Sequence, residues 1–160
     1  MMIGRMLFVM VFNALFLSVT QADPSSKVEK EIKCLALNIY YEARSESQRG
    51  QFAVAAVTMN RVKSYKYPNT VCGVVWQRRQ FSWTHDGKSD RPTEKKAWER
   101  SKSLAKLVHS KYLAFQAENN GAWDITSGAL HYYASYISEP YWAKNKNKRK
   151  SIGNHTFVLM

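Results

Sequence analysis

The stretch from Phe52 to Val62 is apolar on nearly every side, and that confines it to the centre of whatever domain this chain forms. Phe52, Ala55, Ala56, Met59 and Val62 recur at helical spacing, while Ala53, Val54 and Val57 make the other side apolar too. A helix without a polar face is a buried one. Ser45-Glu46-Ser47-Gln48 stands before it with the spacing of a capping box. The pattern predicts a helix from there to about Lys63. Glu46 falls in its first turn, where the helix dipole favours a negative charge. Glu46 therefore reads as structural rather than as a second catalytic acid.

A helix should also precede it, over roughly Val28 to Ala43. Val28, Ile32, Leu35 and Ile39 form one apolar stripe, and the next position on that stripe is Glu42. A carboxyl group on a buried face loses water, which disfavours its charged form and raises its pKa. A carboxylic acid of raised pKa can protonate the leaving oxygen of a glycosidic bond. The plainer reading is a helix-end glutamate paired with Arg44 or a backbone donor.

Beyond Lys63 the chain alternates turns and short segments. Tyr67-Pro68-Asn69-Thr70 is a turn before a short apolar run, Val71 to Trp76, and His85 to Asp90 is a polar loop. Pro92 suits the first turn of a third helix. Ala97, Trp98, Ser101, Leu104, Ala105, Val108 and Tyr112 give that helix a buried stripe to about Phe115, with Trp98 in the core. Asn119-Asn120-Gly121 is a turn signal. From Trp123 onward the chain is aromatic and irregular, suited to short helices or a small hairpin. There is no internal repeat and no second domain.

Residues 1–22 have the makings of a secretory leader, with 23–160 as the mature domain. Arg5 is the basic start, Leu7 to Val19 the apolar core, and Thr20-Gln21-Ala22 the small-residue cleavage site. The apolar core is too short for a stable membrane span; a retained anchor is the alternative. Removing Arg5 with the leader takes the formal charge from +12 to +11. Such a surface attracts polyanions. For an exported chain these are the anionic wall or membrane rather than nucleic acid. The densest basic run, Lys144, Lys146, Lys148, Arg149 and Lys150, reads as a solvated loop. The two cysteines, Cys34 and Cys72, are expected to pair as a disulfide in an exported protein. His85, His109, His131 and His155 are scattered, so neither a metal nor a cofactor is expected.

Several segments together resemble the cell wall hydrolase family, that of the spore-cortex-lytic enzymes of the SleB type. They are Cys34-Leu-Ala-Leu-Asn-Ile-Tyr-Tyr-Glu42-Ala-Arg44, Gly50-Gln-Phe-Ala-Val-Ala-Ala-Val57, Asn60-Arg61-Val62 and Tyr67-Pro-Asn-Thr-Val-Cys72-Gly-Val-Val75. Gln80-Phe-Ser-Trp83, Thr126-Ser-Gly-Ala129, Trp142 and Ile152-Gly-Asn-His155 extend the likeness over about residues 31 to 158. Where the family has Gly-Glu-Pro after Glu-Ala-Arg, this chain reads Ser45-Glu46-Ser47. The resemblance implies a mainly α, lysozyme-like, lytic-transglycosylase-type domain with a small irregular or β-containing part. It also implies attack on peptidoglycan glycan strands, with Glu42 as the catalytic acid.

A glycan site also needs stacking surfaces and polar contacts. Trp83, Trp123, Tyr132, Tyr133, Tyr136, Tyr141 and Trp142 are dense in expected loops, and aromatics suit half-wet sites. The family-like segments nominate Ser82, Thr126, His131 and Tyr132 as substrate contacts, and Trp83 and Trp142 join them as stacking rings; His131 could equally be a core histidine, as His155 is expected to be. Ordinary hydrolysis would require a second carboxylate, for which Asp86, Asp124 and Glu46 are the candidates. In lytic transglycosylation one glutamate donates a proton, then takes one from the sugar's own 6-hydroxyl. The absence of an obvious partner acid favours that course. The expectation is thus an exported, monomeric peptidoglycan lytic transglycosylase. The alternatives are a muramidase-type hydrolase and a non-catalytic cationic wall-binding protein. A Ser or Cys hydrolase is disfavoured, since there is no Gly-x-Ser-x-Gly and both cysteines are assigned to a bridge.

Overall fold

In a computed structural model the protein is described over residues 23–118, 124–146 and 148–159. The expected leader, the turn at Asn119-Asn120-Gly121 and Trp123 lie outside the described residues. The fold is mainly helical, with four α-helices followed by a small sheet. Helix α1 spans Pro24–Ala43, α2 Gln48–Lys63, α3 Val71–Val75 and α4 Lys95–Glu118. Short 3-10 turns occupy Ser82–His85 and Tyr141–Ala143.

Helix α1 begins four residues before the expected Val28. Asp23 is its N-cap, accepting from the Ser25 amide at 3.1 Å, and Pro24 follows at the position where its missing N–H costs nothing. This first turn is exposed and Val28 with it, so the buried stripe starts later than its spacing suggested. Leu35 and Ile39 are fully buried. Helix α2 is capped by Ser47, which accepts from the Gly50 amide, rather than by Ser45. Glu46 thus stands before the helix, not in its first turn. Pro92 likewise lies ahead of α4 rather than in it.

Helix α2 is central, as its composition demanded: Ala53 to Val57 are wholly buried. One core joins α1, α2, α3 and α4 through Leu35, Ile39, Ala55, Met59, Val75, Leu104 and Val108. Trp98 packs against it half-buried. A second cluster, Ala43, Val54, Val57, Ala129, Ile152 and Phe157, ties the helices to the sheet. Cys34 of α1 is bonded to Cys72 of α3, with their Cα atoms 5.2 Å apart.

The expected hairpin is one part of an antiparallel sheet. Strand β1 covers His131–Ala134, β2 Arg149–Ile152 and β3 His155–Val158, in the order β1-β3-β2. Tyr132 lies opposite Phe157, and Lys150 opposite Phe157 on the other side. Gly153 turns the β2–β3 hairpin at φ 58°, a conformation that glycine adopts without strain. The basic run is more structured than a solvated loop. Arg149 sits in β2 and pairs with Glu139, and it donates to the carbonyls of Ala143 (2.7 Å) and Lys146 (2.6 Å). It thereby gathers the loop that carries Trp142.

Candidate active site

Glu42 lies one residue from the end of α1, where the helix meets the sheet. Its Oε2 accepts a 2.9 Å hydrogen bond from the Tyr132 hydroxyl of β1. The positive charge of Arg61, from the last turn of α2, acts on both residues. Burial pushes the Glu42 carboxyl above its usual range; the Tyr132 hydrogen bond and the Arg61 charge restrain that rise. Burial, and then the neighbouring Glu42, push the Tyr132 phenol well above its own, so it is a donor at neutral pH.

Arg61 is held on several sides. Its Nε donates to the Leu130 carbonyl at 2.8 Å, and its guanidinium lies 5.3 Å from the ring centroids of Tyr67 and Phe81. Its Nη1 is buried without a hydrogen-bond partner. The Tyr67 hydroxyl stands 3.1 Å from His131 Nε2. His131 is pushed down to about 4 by burial, with Arg61 adding to it, so its ring is neutral at neutral pH. Trp142 packs 5.5 Å from His131 and 5.9 Å from Tyr133, and keeps 40% of its surface exposed.

The nominated contacts divide into two groups. Tyr132, His131 and Trp142 share one neighbourhood with Glu42 and Arg61. Trp83 and Thr126 are buried. Trp83 stacks on Tyr41 at 4.6 Å and donates its indole N–H to Asn38, whose amide in turn bonds Thr58 at 3.0 Å. This places Trp83 as a support for α1, with Tyr41 as the half-exposed ring above it. Thr126 is fully buried and bonds Asp124 and Asn60. Neither side chain faces a substrate as placed. Ser82 is exposed at the start of its 3-10 turn. Among the described aromatics expected in loops, Tyr136 and Tyr141 are the most exposed, at 81% and 89%.

The candidate partner acids are all engaged elsewhere. Asp124 accepts from Thr126, from the Gly128 amide and from Asn60, and so closes the loop before β1. Asp86 is exposed and caps its own turn through the Lys88 amide. Glu46 binds the backbone and side-chain nitrogens of Asn154 at 3.2 and 3.0 Å. Its side chain is only 7% exposed, and one of its oxygens stands 4.0 Å from His155 Nδ1. His155 is buried and meets the Tyr132 ring edge-on at 5.2 Å. Burial lowers the His155 pKa, with Glu46 opposing.

Sequence reasoning missed Arg61 as a site residue. The available signal was a lone arginine among the apolar positions of a buried helix, but its partners Leu130 and Tyr132 are remote in sequence. Among the described residues no group of acids, histidines or cysteines is arranged to hold a metal, and no helix is long and apolar enough to cross a membrane.

The chain is similar to a set of known proteins. The spore cortex-lytic enzyme of Bacillus cereus is 34% identical over 137 residues, covering 84% of this chain and 46% of that one. The spore cortex-lytic enzyme of Bacillus subtilis is 31% identical over 134 residues, covering 84% and 39%. The chain thus spans less than half the length of the curated relatives it matches. The crystal structure of the catalytic domain of the Bacillus cereus SleB protein superimposes with a TM-score of 0.64 at 32% identity, covering 82% of this chain and 91% of that one. The catalytic domain of the germination-specific lytic transglycosylase SleB from Bacillus anthracis gives 0.63 at 31%, covering 82% and 95%. The mainly α fold with its small sheet is therefore that of these catalytic domains. The family model described as Cell Wall Hydrolase matches residues 45–158, and the chain belongs to that family.

Proposed function

We propose that the protein is a peptidoglycan lytic transglycosylase acting outside the cytoplasm, with Glu42 as general acid and then general base. The observation that carries this reading is the Glu42 carboxyl itself. It is desolvated, which favours its protonated form over that of a solvated glutamate. It is also hydrogen-bonded by Tyr132 and faced by Arg61, so the carboxylate is tolerated once the proton has left. A group balanced in this way suits a cycle that first gives a proton and then takes one.

Glu42 would protonate the glycosidic oxygen between N-acetylmuramic acid and N-acetylglucosamine. The carboxylate left behind, with Tyr132 still bonded to it, would then accept the proton of the muramic 6-hydroxyl as that oxygen closes on C1. The nucleophile is already part of the substrate, so no second carboxylate is required. The engagement of Asp124 and Glu46 in loop contacts supports that economy. His131, neutral and adjacent to Trp142, would offer a polar edge beside an aromatic face, and Ser82 would lie at the rim. The matched family span begins at Ser45, so the role of Glu42 rests on its geometry and on the sequence resemblance. Similarity to SleB catalytic domains supports the substrate class, and residues 1–22 support export. Release of soluble muropeptides from purified sacculi by the native protein, and none by Glu42→Gln, is the expected result; equal release by both would overturn the assignment.

A further inference from the structure

One cavity among the described residues is lined without Glu42. It has a volume of about 810 Å³ and lies between the 44–48 loop, α2 and α4, with Arg44, Gln48, Gln51, Arg100 and Leu107 in its lining. A second hollow of about 460 Å³ continues it along the same two helices and shares Gln48, Leu104 and Leu107 with it. Phe52 and Ile125 add to the floor of the second, and Arg49 and Lys111 to its rim. Together they make a trough with an apolar floor and a cationic edge.

The charges along it are unevenly satisfied. Arg44 is paired with Glu94 at 2.7 Å, Glu99 with Lys102 at 2.9 Å, and Glu46 is taken up by Asn154. Arg49, Arg100 and Lys111 are exposed and have no acidic partner among the described residues. Leu107, on the floor, is 45% exposed. A trough of this kind fits an extended chain that alternates carboxylates with small apolar groups. A sugar phosphate polymer would satisfy the cations but leave the floor wet, and a lipid surface needs a raised face rather than a hollow one.

We infer that this trough binds the peptide stem carried by the glycan strand, its carboxylates on Arg49, Arg100 and Lys111 and its alanine methyls on Phe52 and Leu107. The inference rests on the peptidoglycan reading of Glu42. Arg44, in the lining of the cavity, follows Glu42 by two residues, so their Cα atoms lie within about 7 Å of each other; residues two apart on a helix project to different sides, and a stem starting at Glu42 has to pass around the end of α1 to enter the trough. An extended tetrapeptide spans roughly 13 Å. On this reading a muramic residue held at Glu42 sends its stem around the end of α1 into the trough, and strands that keep their peptides are preferred over stripped ones.

The test is an NMR titration of 15N-labelled Glu42→Gln protein with three probes: a glycan fragment bearing tetrapeptide stems, the same glycan stripped of peptide, and the free tetrapeptide. The stem-bearing fragment and the free tetrapeptide should shift the amides of Arg49, Phe52, Arg100 and Leu107. The triple variant Arg49→Ser, Arg100→Ser, Lys111→Ser should weaken the stem-bearing fragment by about tenfold or more and leave the stripped glycan unchanged. Shifts confined to the surroundings of Tyr132, or equal weakening of both glycans, would overturn the inference. So would equally strong shifts of the same amides by polyglutamate, which would show general anion adsorption. Failure of the glycosidase reading is distinct from these: sacculi would go uncleaved and the stripped glycan would leave Tyr132 unmoved, while the free tetrapeptide still reports on the trough.

Discussion

Tyr132 donates its hydroxyl to Glu42 across 90 positions of sequence, at 2.9 Å. The bond fixes the end of α1 to strand β1, and β1 is in turn held by β3 through the pairing of Tyr132 with Phe157. The position of the acid is therefore set by the sheet as much as by its own helix. Its pKa is set by the same contact, which opposes the effect of burial.

Tyr132→Phe keeps the ring and its packing on Phe157 and His155 but removes the donor. A hydrogen bond to a charged group contributes about 1.5–3 kcal/mol, so kcat should fall roughly 10- to 100-fold with little change in KM. The hydroxyl favours the carboxylate, so its loss raises the Glu42 pKa further. The alkaline limb of the rate profile, where the acid loses its proton before reaction, should move to higher pH. A limb that stays in place or moves down would show that the bond does not tune Glu42.

His131 makes the domain sensitive to mild acid. Its folded-state pKa is lowered to about 4 from the usual 6.5, mainly by burial. The folded protein therefore binds fewer protons than the unfolded chain between those two values, and stability falls as the pH drops through that window. Above 6.5 the effect is absent. His131→Gln should flatten the decline between pH 6.5 and 4, read as denaturation midpoints across the pH series. An unchanged slope would assign the acid sensitivity to other groups.

The Cys34–Cys72 bridge closes a separation of 38 residues. The chain-entropy model gives about 4 kcal/mol for a loop of that size. Reduction, or Cys34→Ala with Cys72→Ala, should lower the melting temperature by roughly 10 °C, while the variant remains folded enough to cleave sacculi at low temperature. A shift of a degree or two would mean that packing of α3 against α1 holds that region without the bridge.

Glu46 is accommodated by two glycines. A Cβ on Gly153 would overlap its Oε2, and one on Gly50 would stand 3.0 Å from the same atom. Gly153→Ala also forces alanine to φ 58°. About 1–3 kcal/mol of stability should be lost, seen as a lower midpoint in denaturant. Glu46→Gln, which keeps the shape and can still accept from Asn154, should lose less. A larger loss from Glu46→Gln than from Gly153→Ala would give the Glu46 charge a role beyond pinning the hairpin.

Features carried by local spacing were legible in the chain. The central place of α2 followed from its apolar sides, and the pairing of the cysteines from their number and the export-like leader. Glu42 stood out because it interrupts a stripe. Features set by remote partners were not legible. Thr126 was nominated from a family-like segment and Trp83 as an aromatic in an expected loop, yet Asp124 and Asn60 enclose the first, and Asn38, Tyr41 and Trp76 the second. Arg61 became a site residue only when β1 brought Tyr132 to it. Glu46 missed its expected helix turn because Ser47, rather than Ser45, took the cap, which freed its carboxylate for a hairpin 108 positions away.

Glu42 alone is expected to carry both proton transfers. The most direct test is mass spectrometry of the chain ends released from purified peptidoglycan by the native protein and by Glu42→Gln. Anhydro-muramic ends from the native protein, and none from the variant, are predicted. Reducing ends would overturn that role, for they would require an activated water and a second carboxylate, and Asp86, Asp124 and Glu46 are engaged elsewhere.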